Sequence, residues 1–204
     1  MLKELLIATG NNGKMKEFAA LFAGSGIKLY SLKDFPALMP AVEDGKTFKE
    51  NALKKAAAAS RQTGLSVIAD DSGLCVDALD GRPGVFSARF AGEGSGDEAN
   101  NRKLLRELAG VPKECRSAVF RCVIAFCTPE GLDEAFAGEL RGIILDHCSG
   151  QGGFGYDPLF IVPEYGKTVA ELPVEIKNRI SHRGRATDAL RSYLEKNGLI
   201  KSKA

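Results

Sequence analysis

Short apolar runs alternate with stretches of helical periodicity along the whole chain, so the pattern predicts strands and helices in turn. Leu2 to Ala8 reads as a first buried strand through Leu5, Leu6 and Ile7. Met15, Phe18, Ala19 and Phe22 then recur on one face of a helix. Ile27 to Ser31 reads as a second strand, followed by loop punctuation at Pro36, Pro40, Glu43, Asp44 and Gly45. Thr47 and Glu50 have capping-box spacing, with Thr47 as N-cap and Glu50 reaching back. The alanine-rich helix they open runs to about Gln62 and stops at Gly64. Leu65 to Ala69 is an apolar strand that ends in Asp70-Asp71-Ser72-Gly73, and Leu74 to Leu79 reads as another, alternating strand.

In the second half, Val85 to Phe90 is a short segment and Asp97 is expected to cap a helix through Leu108. Ala118 to Cys127 and Asp133 to Leu145 alternate over long spans and are joined by Thr-Pro-Glu-Gly, which predicts an antiparallel hairpin. Glu171 to Ile180 and Ala186 to Lys196 read as helices, the latter packing Ala189, Leu190 and Tyr193 on the core. Strands mixed with helices, one hairpin among them, place the fold in the α/β class with a mixed sheet.

Composition narrows the picture by exclusion. In 204 residues, 44% hydrophobic and 26% charged positions are those of an ordinary globular protein with a sizeable core. A formal net charge of +2 makes no global case for nucleic acid or an anionic membrane. No apolar stretch reaches the length of a bilayer span, and Met1-Leu-Lys-Glu leads straight into a strand, so no signal peptide is expected. Five cysteines without a C-x-x-C pair point to buried reduced thiols and a cytoplasmic protein rather than a disulfide framework.

Four stretches carry candidate chemistry. Asp70 and Asp71 lie side by side where the chain is extended, so their side chains point to opposite faces. Carboxylates held together repel, a cost that a divalent cation would offset; a plain strand-to-turn junction is the alternative. Thr9, Gly10, Asn11, Asn12, Gly13 and Lys14 form a glycine-containing turn between strand and helix, suited to phosphate through backbone N–H groups and the lysine. Its spacing is not that of a Walker A loop, and a tight strand-to-helix turn is the competing reading. Within Gly150 to Pro158, Phe154 and Tyr156 sit among four glycines, an arrangement suited to stacking on a flat ligand, with Asp157 able to accept from a ring N–H. Lys177, Arg179, His182, Arg183 and Arg185 form a local basic cluster, either helix-terminal cations or an anion or purine-edge site. Glu43 on its loop is the acidic residue best placed to join the aspartates as a metal ligand.

Taken together, Thr9 to Lys14, Ala69 to Leu74 with Pro83 to Arg89, and Gly152 to Pro158 with Ser181 to Gly184 resemble the inosine triphosphate pyrophosphatase family over essentially the whole chain. The resemblance implies one domain, residues 1–204, built as two lobes on an elongated mixed sheet flanked by helices, with the active site in a cleft. It implies Mg²⁺-assisted hydrolysis of dITP, ITP and XTP between the α- and β-phosphates, keeping these nucleotides out of DNA and RNA. It also implies a homodimer that binds neither nucleic acid nor membrane. Position by position, Asp71 matches the general base and metal ligand, with Asp70 beside it as a second catalytic carboxylate. Thr9, Gly10, Asn11, Asn12, Gly13 and Lys14 match the triphosphate loop, and Ser72 a substrate contact. Phe154, Gly155, Tyr156 and Asp157 match the base-stacking segment, and Lys177, His182 and Arg183 the nucleotide and purine-edge contacts. A pyrophosphatase for other odd nucleotides and a non-catalytic nucleotide sensor are the competing readings. Lys14 and the paired carboxylates speak against a sensor, since a pure binder has no use for acids that repel its ligand.

Overall fold

The computed structural model describes residues 1–201. Seven strands form one mixed sheet in the order β2-β1-β3-β4-β5-β6-β7. In sequence these are β1 (Glu4–Ile7), β2 (Lys28–Ser31), β3 (Val67–Val76), β4 (Ser117–Cys127), β5 (Asp133–Ile144), β6 (Phe160–Val162) and β7 (Lys167–Thr168). The helices are α1 (Asn12–Leu21), α2 (Phe48–Thr63), α3 (Asp97–Glu107), α4 (Val174–Ile180) and α5 (His182–Lys196). β1 pairs in parallel with β2 and β3, whereas β6 pairs antiparallel with β5 and β7. β4 and β5 form the expected hairpin, closed by Thr128 N–H donating to the Leu132 carbonyl at 2.9 Å.

Two compact units are built on these elements. The first comprises Met1–Asp71, Cys122–Gly138 and the chain from Arg183 onward. Strand alternation sorts its side chains into two layers. Leu5, Ile7, Ile68, Ile124 and Phe126 pack with Phe18 and Phe22 of the α1 region and Ala186, Leu190 and Leu194 of α5. Leu6, Val67, Ala69 and Ala125 face the other way, onto Ala52, Ala56 and Ala59 of α2. Three alanines at helical spacing let α2 lie close to the sheet, so its polar positions are brought near the strand as well. The second unit, Ser72–Arg121 with Glu139–His182, has its own core, in which Leu74, Val76, Phe120, Leu140 and Phe160 pack with Leu104 and Leu108.

Several expectations are corrected. The predicted strand break at Asp70 is absent: β3 runs unbroken through Asp70-Asp71-Ser72-Gly73. Gly73 serves close packing there rather than a turn, because a Cβ on it would meet the Ser87 hydroxyl and lie 2.5 Å from the Gly84 carbonyl. Helix α5 begins at His182 rather than at the expected Ala186, directly after Ser181, the C-cap of α4, and the predicted Glu171–Ile180 helix is a 3₁₀ turn, Val169–Glu171, followed by α4. Ala19 and Ala189 are exposed, whereas Met15, Phe18, Phe22, Leu190 and Tyr193 pack in the core as expected. Asp97 lies inside α3, whose N-cap is Gly96. All five cysteines are free; Cys122 and Cys127 are buried, Cys75 half-buried, and Cys115 and Cys148 exposed, so burial does not hold for every thiol. Among the described residues, no helix is long and apolar enough to cross a membrane.

At the start of α2, Thr47 Oγ1 accepts the Glu50 N–H at 3.1 Å, as expected. Glu50, however, accepts from the Lys46 N–H at 2.7 Å instead of closing a box on Thr47. The αL residue Gly64 ends the helix, its N–H donating to the Ser60 carbonyl. The Thr47→Ala variant is expected to lose about 1 kcal/mol of unfolding free energy in urea denaturation, the usual worth of an N-cap side chain. A midpoint equal to that of the unsubstituted protein would show that the Lys46–Glu50 bond alone holds this end.

Candidate active site

The pleat of β3 sends its two central aspartates into different surroundings. Asp70 faces the layer formed with α1 and α5. Its Oδ2 receives Lys14 Nζ at 2.9 Å and Arg183 Nε at 3.5 Å, and its side chain is fully buried. Arg183 also pairs with Glu17, one turn along α1 from Lys14. Burial alone would raise the Asp70 pKa, but Lys14 and Arg183 hold it well below the usual carboxylate range. The charge of Asp70 also adds to burial in pushing the neighbouring Cys122 thiol up to about 12, so that thiol stays protonated. Oδ1 of Asp70 is buried and accepts no hydrogen bond among the described residues.

Asp71 faces α2. Asn51 Nδ2 donates to its Oδ2 at 3.0 Å, and Lys55 Nζ stands 3.8 Å from its Oδ1. The same Lys55 ammonium is 2.9 Å from Glu43 Oε2. Asn51 and Lys55 are four residues apart, on one face of the helix. Asn51 also accepts the Gly45 N–H at 2.8 Å through Oδ1, which ties the loop bearing Glu43 to the strand bearing Asp71. Burial raises the Asp71 pKa, opposed in part by Lys55 and the Asn51 hydrogen bond and reinforced by Glu43. Two neighbouring carboxylates thus titrate in opposite directions from their common reference.

Lys14 reaches Asp70 because α1 starts directly after the glycine turn. Asn11 is its N-cap, Oδ1 accepting the N–H groups of Gly13 at 2.8 Å and Lys14 at 3.1 Å. Those two amides, expected to face phosphate, are therefore engaged by Asn11. Thr9 Oγ1 accepts the Asn11 N–H at 3.3 Å, while Gly10, Asn11 and Asn12 are exposed.

In the second unit, Asp157 is buried and its Oδ2 gathers the Phe154 N–H at 2.9 Å and Lys177 Nζ at 2.9 Å. The Lys177 ammonium also lies 4.8 Å from the centre of the Phe154 ring. The loop between is fixed at Gly155, whose N–H donates to Asp97 and whose carbonyl accepts from Asn101. Phe154 is half-buried, which leaves part of its ring accessible. Tyr156 is not: its ring joins the core and its hydroxyl donates to the Ser87 carbonyl at 2.9 Å, correcting the expectation that it stacks on a ligand. The Asp157 carboxylate is engaged by Lys177 and a backbone amide through Oδ2. His182 is buried and stacked on Phe120, with ring centres 4.9 Å apart. Ser72 is half-buried on β3.

Of the expected residues, Lys14, Asp70 and Arg183 meet in one cluster, Asp71 and Glu43 in a second, and Phe154, Asp157 and Lys177 in a third. Arg179 and Arg185, from the same basic stretch, are exposed. Lys55 and Glu17 were missed. Their helical spacing from Asn51 and Lys14 was the only signal available, and charges on amphipathic helices are ordinarily solvated.

Comparison with known proteins extends over the same residues. The model of the Ham1 family matches residues 5–193. A dITP/XTP pyrophosphatase of Geobacter sulfurreducens is 58% identical over 198 residues, covering 97% of this chain and all of that protein. A dITP/XTP pyrophosphatase of Desulforamulus reducens is 55% identical over 183 residues, covering 90% and 91% of the two chains. Among solved structures, a HAM1 protein from Coxiella burnetii superposes with a TM-score of 0.87 at 40% identity, and the Ham1 protein of Staphylococcus aureus with 0.86 at 42%. Each covers 96% of this chain and all of its own.

The Asn51 contact has a titration consequence. Its N–H stabilises the charged form of Asp71, so Asn51→Ala is expected to raise the Asp71 midpoint further above the ordinary carboxylate value. Carboxyl-carbon NMR across the acid range reads this directly, and a midpoint that stayed put or fell would remove Asn51 from the electrostatics of the site.

Proposed function

The chain belongs to the Ham1 family, and from that premise we propose that it hydrolyses dITP, ITP and XTP between the α- and β-phosphates, releasing the nucleoside monophosphate and pyrophosphate. The observation that carries the mechanism is the division of labour between Asp70 and Asp71. Asp70, held ionised by Lys14 and Arg183, is the anchor for a triphosphate-binding lysine. Asp71, whose pKa burial raises, is the base that orients and deprotonates the attacking water. Divergent environments for two carboxylates are how a site separates such roles.

Mg²⁺ fits the residues present. Glu43 and Asp71 already converge on one cation, the Lys55 ammonium. Among the described residues, no group of three or more His, Cys, Asp or Glu side chains is placed to hold a metal. Two carboxylates completed by substrate oxygens suit Mg²⁺, which keeps waters and phosphates in its shell rather than an all-protein cage. Bound there, it would neutralise phosphate charge and polarise the anhydride. Lys14 adds a further cation for the phosphates, Thr9 to Gly13 are assigned to bind them, and Ser72 is assigned a substrate contact.

On the base side, we assign stacking to the accessible part of the Phe154 ring, held in place by the Asp157–Lys177 pair, with Gly155, Tyr156 and Asp157 supporting it through the backbone. Tyr156 contributes as a core pin rather than a stacking ring. His182 and Arg183 are assigned to the 6-carbonyl that inosine and xanthosine present and adenosine lacks. Both are preset in orientation, His182 by Phe120 and Arg183 by Asp70 and Glu17. An adenine amino group would leave such donors unmatched, which is costly in a buried site. The homodimer and the cytoplasmic location belong to the same proposal.

Product analysis tests the reaction: ITP, XTP, GTP and ATP are incubated with Mg²⁺ and resolved by phosphorus NMR. Inosine or xanthosine monophosphate with pyrophosphate is expected, and release of orthophosphate would move the cut and defeat the assignment. Asp71→Asn should lower kcat by about 10³-fold or more, the scale of a lost general base, while nucleotide binding by calorimetry persists. Full turnover in that variant would exclude Asp71 as base. Phe154→Ala should raise KM for ITP about tenfold with a smaller change in kcat, the scale of one lost base stack. Unchanged KM would return Phe154 to a purely structural place.

A further inference from the structure

Lys55 lies where none of the assigned roles puts it. Its ammonium stands between Glu43 Oε2, at 2.9 Å, and Asp71 Oδ1, at 3.8 Å, on a side chain only 17% exposed. These are the two carboxylates to which the metal was assigned above, and the present inference rests on that assignment. We propose that Lys55 is a positioning residue that stands in for the divalent cation while the protein is free of nucleotide, and that it makes metal capture depend on the arrival of the triphosphate.

The argument is electrostatic. Without a cation, Glu43 and Asp71 repel each other, and burial of Asp71 intensifies the repulsion. The ammonium offsets this and keeps the pair converged. A divalent ion on the same oxygens meets the lysine charge at close range, so the two cations compete unless further anions enter. A triphosphate supplies them. With phosphate oxygens present, the four-carbon stem of Lys55 lets its ammonium leave the carboxylates for the phosphates, which would free Glu43 and Asp71 to hold the metal. Coupling of this kind is reciprocal: nucleotide raises metal affinity by the same factor that metal raises nucleotide affinity. The next lysine on the helix, Lys54, is a built-in control. It pairs with Asp44 at 2.5 Å on an exposed part of the loop and touches neither carboxylate of the pair.

The test is Mn²⁺ binding followed by electron paramagnetic resonance, without turnover. The unsubstituted protein is expected to bind Mn²⁺ weakly alone and tightly with a non-hydrolysable α,β-methylene analogue of ITP. Lys55→Met should bind Mn²⁺ alone about tenfold tighter or more, since it removes one like charge at this range, and should lose the nucleotide dependence. Lys54→Met should match the unsubstituted protein. If Lys55→Met does not fold, as judged by its melting curve in EDTA, Lys55→Gln is read in the same way, its amide still able to donate to Glu43. Equal or weaker Mn²⁺ binding by the folded variant in the absence of nucleotide would overturn the inference while leaving the metal assignment intact. Absence of Mn²⁺ binding even with the analogue, in the unsubstituted protein and the variant alike, would remove both.

Discussion

The pleat of one strand governs this molecule. Adjacent residues in an extended chain must present their side chains to opposite faces, so Asp70 and Asp71 cannot share surroundings. The first belongs to the face packed against α1 and α5, the second to the face packed against α2. Everything else in the first unit follows from meeting two buried charges in two different ways. Asp70 is met by full cations, Lys14 and Arg183, and stays ionised. Asp71 is met by an amide and a more distant ammonium, and its charge is less well compensated.

Burying charge is expensive, and a buried pair is weak ground for stability by itself. The Glu17–Arg183–Asp70–Lys14 chain is better understood as a device of registry. It links the start of α1 to the start of α5 through the centre of the sheet, so that the glycine turn before α1 has a fixed relation to β3. Asn51 does the same on the opposite face, holding Gly45 with one end of its amide and Asp71 with the other. Both devices use polar side chains to fix position.

The second unit uses one carboxylate differently. Asp157 orders a glycine-rich loop from within, taking a backbone amide and a lysine on the same oxygen. Gly153 has φ +77° and lies so close to Asp157 that any side chain on it would collide with the carboxylate. The result is a loop whose composition suggests mobility but whose hydrogen bonds give it a definite conformation, with Tyr156 drawn into the core and Phe154 left at its margin.

Much of this was legible in the residues. The order of strands and helices, the β4–β5 hairpin, the Thr47 cap and the Gly64 stop follow from local periodicity and local hydrogen bonding, which need no distant partner. The motifs around Lys14, Asp71, Phe154 and His182 likewise carried the resemblance to the family. Misreadings arose where tertiary contacts override local preference. Asp-Asp-Ser-Gly favours a turn, yet β3 continues because Lys14, Arg183, Asn51 and Lys55 match the two charges and Ser87 needs the space at Gly73. The last helix was expected from Ala186, and the basic residues before it gave no sign that Arg183 would be paired from α1, 166 residues away. The chain by itself determined the elements, the fold class and the family, because these rest on short-range patterning. Only the folded structure decided which ammonium faces which carboxylate, since burial and charge pairing are set by residues that are neighbours in space alone.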